Sequence, residues 1–230
     1  MLLSTPGIVL HTIPYGETSV VARVFTRTLG VRSYLVKGVR THGGRVKQNL
    51  LQPLSCIDMV VYDNRHDSLN HIKELSSRHT PPPPSPVGNA LRFFMTEVLY
   101  KSLQSDEPMP DLWDYVEQAS RLDSNTPHRD LPILFLLQTA RHMGIAPQNN
   151  HSNLAPFFDL QDGRYVSSAN ETTLPASLSA LLHAYQTTPP SAASLRERND
   201  LTSALIAYFQ LHLSSFRHFT SHEILHSVLK

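Results

Sequence analysis

Cysteine is nearly missing from this chain. Its 230 residues hold one, Cys56, which excludes an internal disulfide and any structural zinc site made from two or more thiolates. No apolar run approaches the roughly 20 residues that a membrane-spanning helix needs. The opening Met1-Leu2-Leu3-Ser4-Thr5-Pro6-Gly7 has neither a charged head nor a long apolar stretch, so no secretory signal is read there. Neither sign of charge is in excess: 20 Lys and Arg stand against 19 Asp and Glu. Signatures of common enzymes are absent as well, with no G-x-S-x-G elbow, no P-loop and no G-x-G-x-x-G. What remains is a cytoplasmic, non-membrane protein with no cofactor or metal and no catalytic residues. Hydrophobic residues at 40% and charged residues at 17% make the chain globular rather than disordered.

The charge is unevenly spread. Residues 1–80 carry ten Lys and Arg against five Asp and Glu, and residues 81–230 carry ten against fourteen. Between residues 23 and 47 stand seven cations and no anion: Arg23, Arg27, Arg32, Lys37, Arg40, Arg45 and Lys47. A neutral chain with one basic end suggests a polyanion-binding module joined to something else. A solvated charged surface is the plainer reading.

Pro81-Pro82-Pro83-Pro84-Ser85-Pro86 divides the chain. Proline lacks the N–H and fixes φ, so this run forms neither a helix interior nor a central strand. It reads as an extended connector over 81–86, or else as a Pro-rich ligand for a recognition domain. Before it, residues 7–13, 18–28, 31–39, 54–62 and 68–76 are strand-like, rich in Val, Ile, Tyr, Phe and Thr. Five short strands in 1–80 suit a small closed barrel. After it, helices are expected at 87–104, 110–122, 130–143, 175–186, 194–213 and 221–229, making 87–230 a helical domain. The fold class is therefore α+β. Leu131 to Leu137 is apolar nearly all round, which predicts a buried helix. Ser194 and Glu197 have capping-box spacing.

Side chains two apart on a strand share a face. Arg23, Phe25 and Arg27 share one, opposite Val20, Ala22 and Val24; Arg32, Tyr34 and Val36 share another. Cations interleaved with aromatics fit single-stranded nucleic acid, because phosphates need charge and unstacked bases need flat π surfaces. The loop from Lys37 to Lys47 adds Lys37, Arg40, Arg45 and Lys47 on a segment loosened by Gly38, Gly43 and Gly44. The competing reading places Phe25 and Tyr34 in the core with the arginines merely snorkelling. Cys56, beside Ile57 in an apolar strand, reads as a buried thiol rather than a nucleophile.

Several short pieces, in order, resemble the RecO family of bacterial recombination mediators. They are Gly7-Ile8-Val9-Leu10, Tyr15 and Glu17, Phe25-Thr26, Gly30, Lys37-Gly38-Val39-Arg40, Leu51-Gln52-Pro53-Leu54, then Ile72 and Glu74. Further on, Phe135-Leu136-Leu137 and Met143-Gly144-Ile145-Ala146-Pro147 look like the family's central helix and its exit. The resemblance implies an OB-fold barrel followed by a helical domain. It also implies binding of single- and double-stranded DNA, annealing of complementary strands, and work with RecR and single-strand-binding protein so that RecA can load, at the nucleoid in the cytoplasm.

Many members of that family carry four zinc-binding cysteines after the central helix. Here the stretch reads Gln148-Asn149-Asn150-His151-Ser152-Asn153, so that site is expected to be absent, with Phe157, Phe158 and Leu160 packing the segment instead. A rival motif is His222-Glu223-Ile224-Leu225-His226, formally the H-E-x-x-H of zinc peptidases. His218 would extend it into a stripe, but an i, i+4, i+8 row spans about 12 Å of helix, too long for three imidazoles to meet one ion. A zinc peptidase and a general OB-fold RNA-binding factor are the alternatives to the DNA-binding reading.

Overall fold

The computed structural model describes residues 1–39, 48–64, 69–80, 85–104, 106–121, 129–190 and 193–228. Within them the chain groups into two compact units. The first holds residues 1–88 and 103–124; the second holds 89–102 and 125–230.

The first unit is a closed barrel of five strands: β1 (Leu2–Tyr15), β2 (Ser19–Thr26), β3 (Gly30–Val36), β4 (Cys56–Tyr62) and β5 (Asn70–Ser77). Their order is β1-β2-β3-β5-β4, with β4 returning to β1. All pairings are antiparallel except β3 with β5. This is the OB-fold arrangement. Alternation dictates the interior: Val20, Ala22 and Val24 of β2 point inward, joined by Val9, Tyr34, Val36, Ile57, Met59 and Val61. Gly7 lets β1 run close across this core, since a Cβ there would lie 2.5 Å from Val24 Cγ1. A short 3-10 turn at Gln48–Leu51 precedes β4.

Helix α1 (Pro86–Ser102) begins on the last proline of the expected connector and is followed by α2 (Pro110–Ser120). The parting of the chain thus differs from a single boundary at 81–86, because 103–124 joins the barrel's unit. The register explains why. Outward-facing Cys56, Ile8, Phe25 and Val31 form one row across β4, β1, β2 and β3, and all four are buried. The apolar side of α2, with Leu112, Trp113, Val116 and Ser120, is buried as well. Trp113 Nε1 donates to the Phe25 carbonyl at 3.0 Å, and Cys56 Sγ lies 3.2 Å from Ser120 Oγ. An apolar row on a barrel exterior needs a cover, and α2 supplies it.

The second unit is mostly helical: α1, α3 (Leu131–His142), α4 (Ala176–Thr187), α5 (Leu195–His212) and α6 (Ser221–Val228). Helix α3 buries Leu131, Pro132, Ile133, Phe135, Leu136, Thr139 and Ala140, as its all-round apolar sequence requires. Helix α5 starts in the expected capping box: Glu197 N–H donates to Ser194 Oγ and Ser194 N–H to Glu197 Oε2. The short α6 is capped from outside itself. The Glu97 carboxylate on α1 accepts the backbone N–H groups of Thr220 and Ser221, the latter at 2.8 Å.

This unit also contains a small hairpin, β6 (Phe157–Asp159) and β7 (Arg164–Val166). Asn150 stands in for a third strand, its Oδ1 accepting Tyr165 N–H and its Nδ2 donating to the Tyr165 carbonyl. Asp159 is almost fully buried and accepts the N–H groups of Gln161 and Asp162 on Oδ1 and the side chains of Asn170 and Thr172 on Oδ2.

Candidate nucleic-acid interface

The residues expected to bind DNA take up three different environments. Phe25 and Tyr34 are fully buried. Phe25 sits in the outward row closed by α2, and Tyr34 points into the barrel. Neither ring offers a face to a base, so their role is in packing. Burial pushes the Tyr34 hydroxyl well above the usual tyrosine range.

The strand arginines are held by the protein. Arg23 Nη2 donates to the Leu103 carbonyl at 3.1 Å. Arg27 makes a two-pronged pair with Asp114 of α2, at 2.8 and 2.9 Å. That hydrogen-bonded pair raises the Arg27 guanidinium above its ordinary value and lowers the Asp114 carboxyl. Both remain about half exposed, so solvent and salt screen the pair. Arg32 is different. Its side chain is 10% exposed, its Nε donates to the Leu29 carbonyl, and its Nη1 lies 3.3 Å from Asp63 Oδ1, itself in a side chain only 6% exposed. Arg32 is a structural ion-pair member within the barrel.

Lys37 stands at the end of β3, exposed and with no ion-pair partner among the described residues. Arg40, Arg45 and Lys47 lie outside the described residues. Beyond them, the sequence reading missed Arg78. It lies between Asp58 at 2.7 Å and Glu117 at 2.6 Å, with its guanidinium 5.7 Å from the Trp113 ring centre. His79 also bonds Glu117, at 2.6 Å. Burial pushes the Glu117 carboxyl up, but bonds from Arg78 and His79 outweigh it and leave the group below its ordinary value. These contacts belong to the attachment of α2. Asp111, Asp114 and Glu117, spaced three apart, could have signalled a helix face that meets cations.

The other candidate chemistry is also placed. His218 precedes α6 with a left-handed φ of 55°, so it does not extend the His222 and His226 pair along the helix. His222 and His226 stand edge to face, 5.7 Å between centres. Burial and the neighbouring His222 keep His226 below the usual histidine range. Among the described residues no three His, Cys, Asp or Glu side chains gather as a metal site. The segment that carries zinc ligands in many RecO proteins does not fit the metal here. Both Asp159 oxygens are taken by four donors, and His151 stacks on His183 at 4.7 Å. Phe158 is fully buried in that segment, with Phe157 and Leu160 half-buried. Cys56 is a buried thiol. No helix among the described residues is long and apolar enough to cross a membrane.

A cation-rich OB-fold barrel whose outer row is closed by a helix, followed in the chain by a mostly helical unit with a small hairpin, defines the class of protein. Residues 1–80 match the family model described as Recombination protein O N terminal. A DNA repair protein RecO from Phocaeicola vulgatus is 31% identical over 227 aligned positions, covering 94% of both chains. One from Christiangramia forsetii is 27% identical over 242 positions, covering 99% of both. The chain belongs to the RecO family.

Proposed function

We propose that this chain is a DNA-binding recombination mediator of DNA repair. It binds single- and double-stranded DNA, anneals complementary strands, and helps RecA load on single strands coated by single-strand-binding protein. RecR is its partner, and the work takes place in the cytoplasm at the nucleoid. The observation that carries this reading is the seven-cation, anion-free stretch 23–47 on the OB-fold barrel of a RecO-family chain.

The environments of those cations divide the labour. Arg32 is committed to Asp63 and serves the barrel. Arg27 and Arg23 contribute where a phosphate competes with Asp114 or the Leu103 carbonyl. Lys37, Arg40, Arg45 and Lys47, interspersed in sequence with Gly38, Gly43 and Gly44, supply most of the affinity. Annealing needs no catalytic group: a cationic surface screens phosphate repulsion and holds two strands close.

A gel shift with single-stranded DNA across a salt series tests this. Neutralising about four to six phosphates predicts that log K falls against log salt with a slope of roughly −3 to −4. A slope near zero sinks the electrostatic reading, and preference for RNA over DNA oligomers sinks the assignment to repair.

A further inference from the structure

The outer face of β1-β2-β3 has two halves. The half around Phe25 is closed by α2. The other half lies toward the β1–β2 hairpin, and its register is read directly from the pairing. Thr12, Pro14 and Val20 fall on the inward side, with Ala22 and Val36. Outward, Ile13 pairs with Val21, which pairs with Leu35; Tyr15 pairs with Ser19. One position beyond Val36, Lys37 falls on the outward side next to that last row. Tyr15 is 55% exposed and Ile13 49%. Two large apolar side chains thus stand side by side on a strand with solvent over them.

We propose that Tyr15 is a base-stacking residue that biases the barrel toward single-stranded DNA, with Ile13 extending its platform and Lys37 taking the adjoining phosphate. This rests on the DNA-binding reading above and assigns its aromatic component, which Phe25 and Tyr34 cannot supply. Three observations support the choice of occupant. Tyr15 presents an exposed ring at the end of β1, next to the connection between strands 1 and 2, a segment with which OB-folds hold oligonucleotides. Lys37 lies two strand spacings away, about 10 Å, on the same side. His11 and His71 flank the face on β1 and β5, while the acidic neighbours are Glu17 in the hairpin turn and Glu74 on β5. A single strand brings an unstacked base to the ring and a phosphate to the lysine. A duplex keeps its bases stacked on one another and reaches only the cations.

The test compares Tyr15→Ala, Tyr15→Phe and Tyr15→Trp in the full chain, titrated with an oligothymidylate and a blunt duplex of equal length. Tyr15→Ala is expected to weaken oligothymidylate binding about tenfold, with the salt slope unchanged and duplex affinity within about twofold. Tyr15→Phe keeps the affinity, because the ring and not the hydroxyl does the stacking. Tyr15→Trp gains a fluorescence that the oligothymidylate quenches and the duplex does not; the chain's one tryptophan, Trp113, is 1% exposed, and its emission is subtracted with the unchanged protein titrated in parallel. Unchanged circular dichroism shows that the variants are folded. If the unchanged protein binds neither DNA, the DNA reading falls and this inference with it. If it binds both and Tyr15→Ala binds both as well, or loses both equally, the stacking role alone falls. Loss of RecR capture with oligothymidylate binding intact overturns it in favour of a protein-docking face.

Discussion

Arg32 and Lys37 lie five positions apart on or beside one strand and do different work. Arg32 shares a buried ion pair with Asp63, and Lys37 stands in solvent. Removing one partner of a buried pair leaves the other charge without compensation. Arg32→Ala is therefore expected to cost about 3–5 kcal/mol, read as a lower midpoint in urea or thermal unfolding. Lys37→Ala should leave the midpoint unchanged and weaken DNA. An equal effect of both on stability would remove the distinction. Nothing in the sequence separates these two cations, because the partner, Asp63, comes 31 residues after Arg32. Tyr34 was more legible. It shares a face with Val36, and Val36 pairs with Val20 of the face opposite Phe25. Strand pairing, rather than composition, puts that face inside. Phe25 could not be placed from its own strand, since its cover arrives with Trp113 far along the chain.

The elements themselves were plain where periodicity is strong. All six helices and four barrel strands fall within about two residues of the segments expected from alternation and from the 3.6-residue period, apart from the end of β3, while β1 begins at Leu2, well before the expected residue 7. The β6–β7 hairpin was not foreseen. Its strands are three residues each, too short to show alternation, and the side chains of Asn150 and Asp159 brace its short ladder. Asp159 is its hub. Burial pushes that carboxyl up, but hydrogen bonds from Asn170, Asp162 N–H, Thr172 and Gln161 N–H outweigh it and hold the group below its ordinary value. A folded-state value below the unfolded one gives stability that is full above the ordinary aspartate range, near 4, and is lost as pH falls through the folded value. Asp159→Asn exchanges charge-assisted bonds for neutral ones and puts an amide among donors. It should cost about 2 kcal/mol near neutral pH and flatten the acid limb of the stability curve. An acid limb identical in the two proteins would show that Asp159 does not anchor the hairpin.

Across the whole molecule the cations fall into two groups that the net charge hides. Lys37, Arg40, Arg45 and Lys47 have no acidic neighbour in the sequence between them. Arg164 is paired with Asp162 at 3.0 Å, and Arg121 and Arg129 stand near Asp123 and Asp130 in sequence. Changing these four residues to Ala should lower the salt slope by about 3 and weaken single and double strands together. The four meant are Lys37, Arg40, Arg45 and Lys47. Changing Arg121, Arg129, Arg141 and Arg164 should do less; the reverse outcome would move the DNA path off the barrel strands. The grouping of α2 with the barrel has a consequence for synthesis on the ribosome. The last barrel strand ends at Ser77, and the helix that closes over Phe25 ends at Ser120. Translation proceeds at about 5–20 residues per second, so the nascent barrel passes roughly 2–9 seconds with that apolar row open to water and to chaperones.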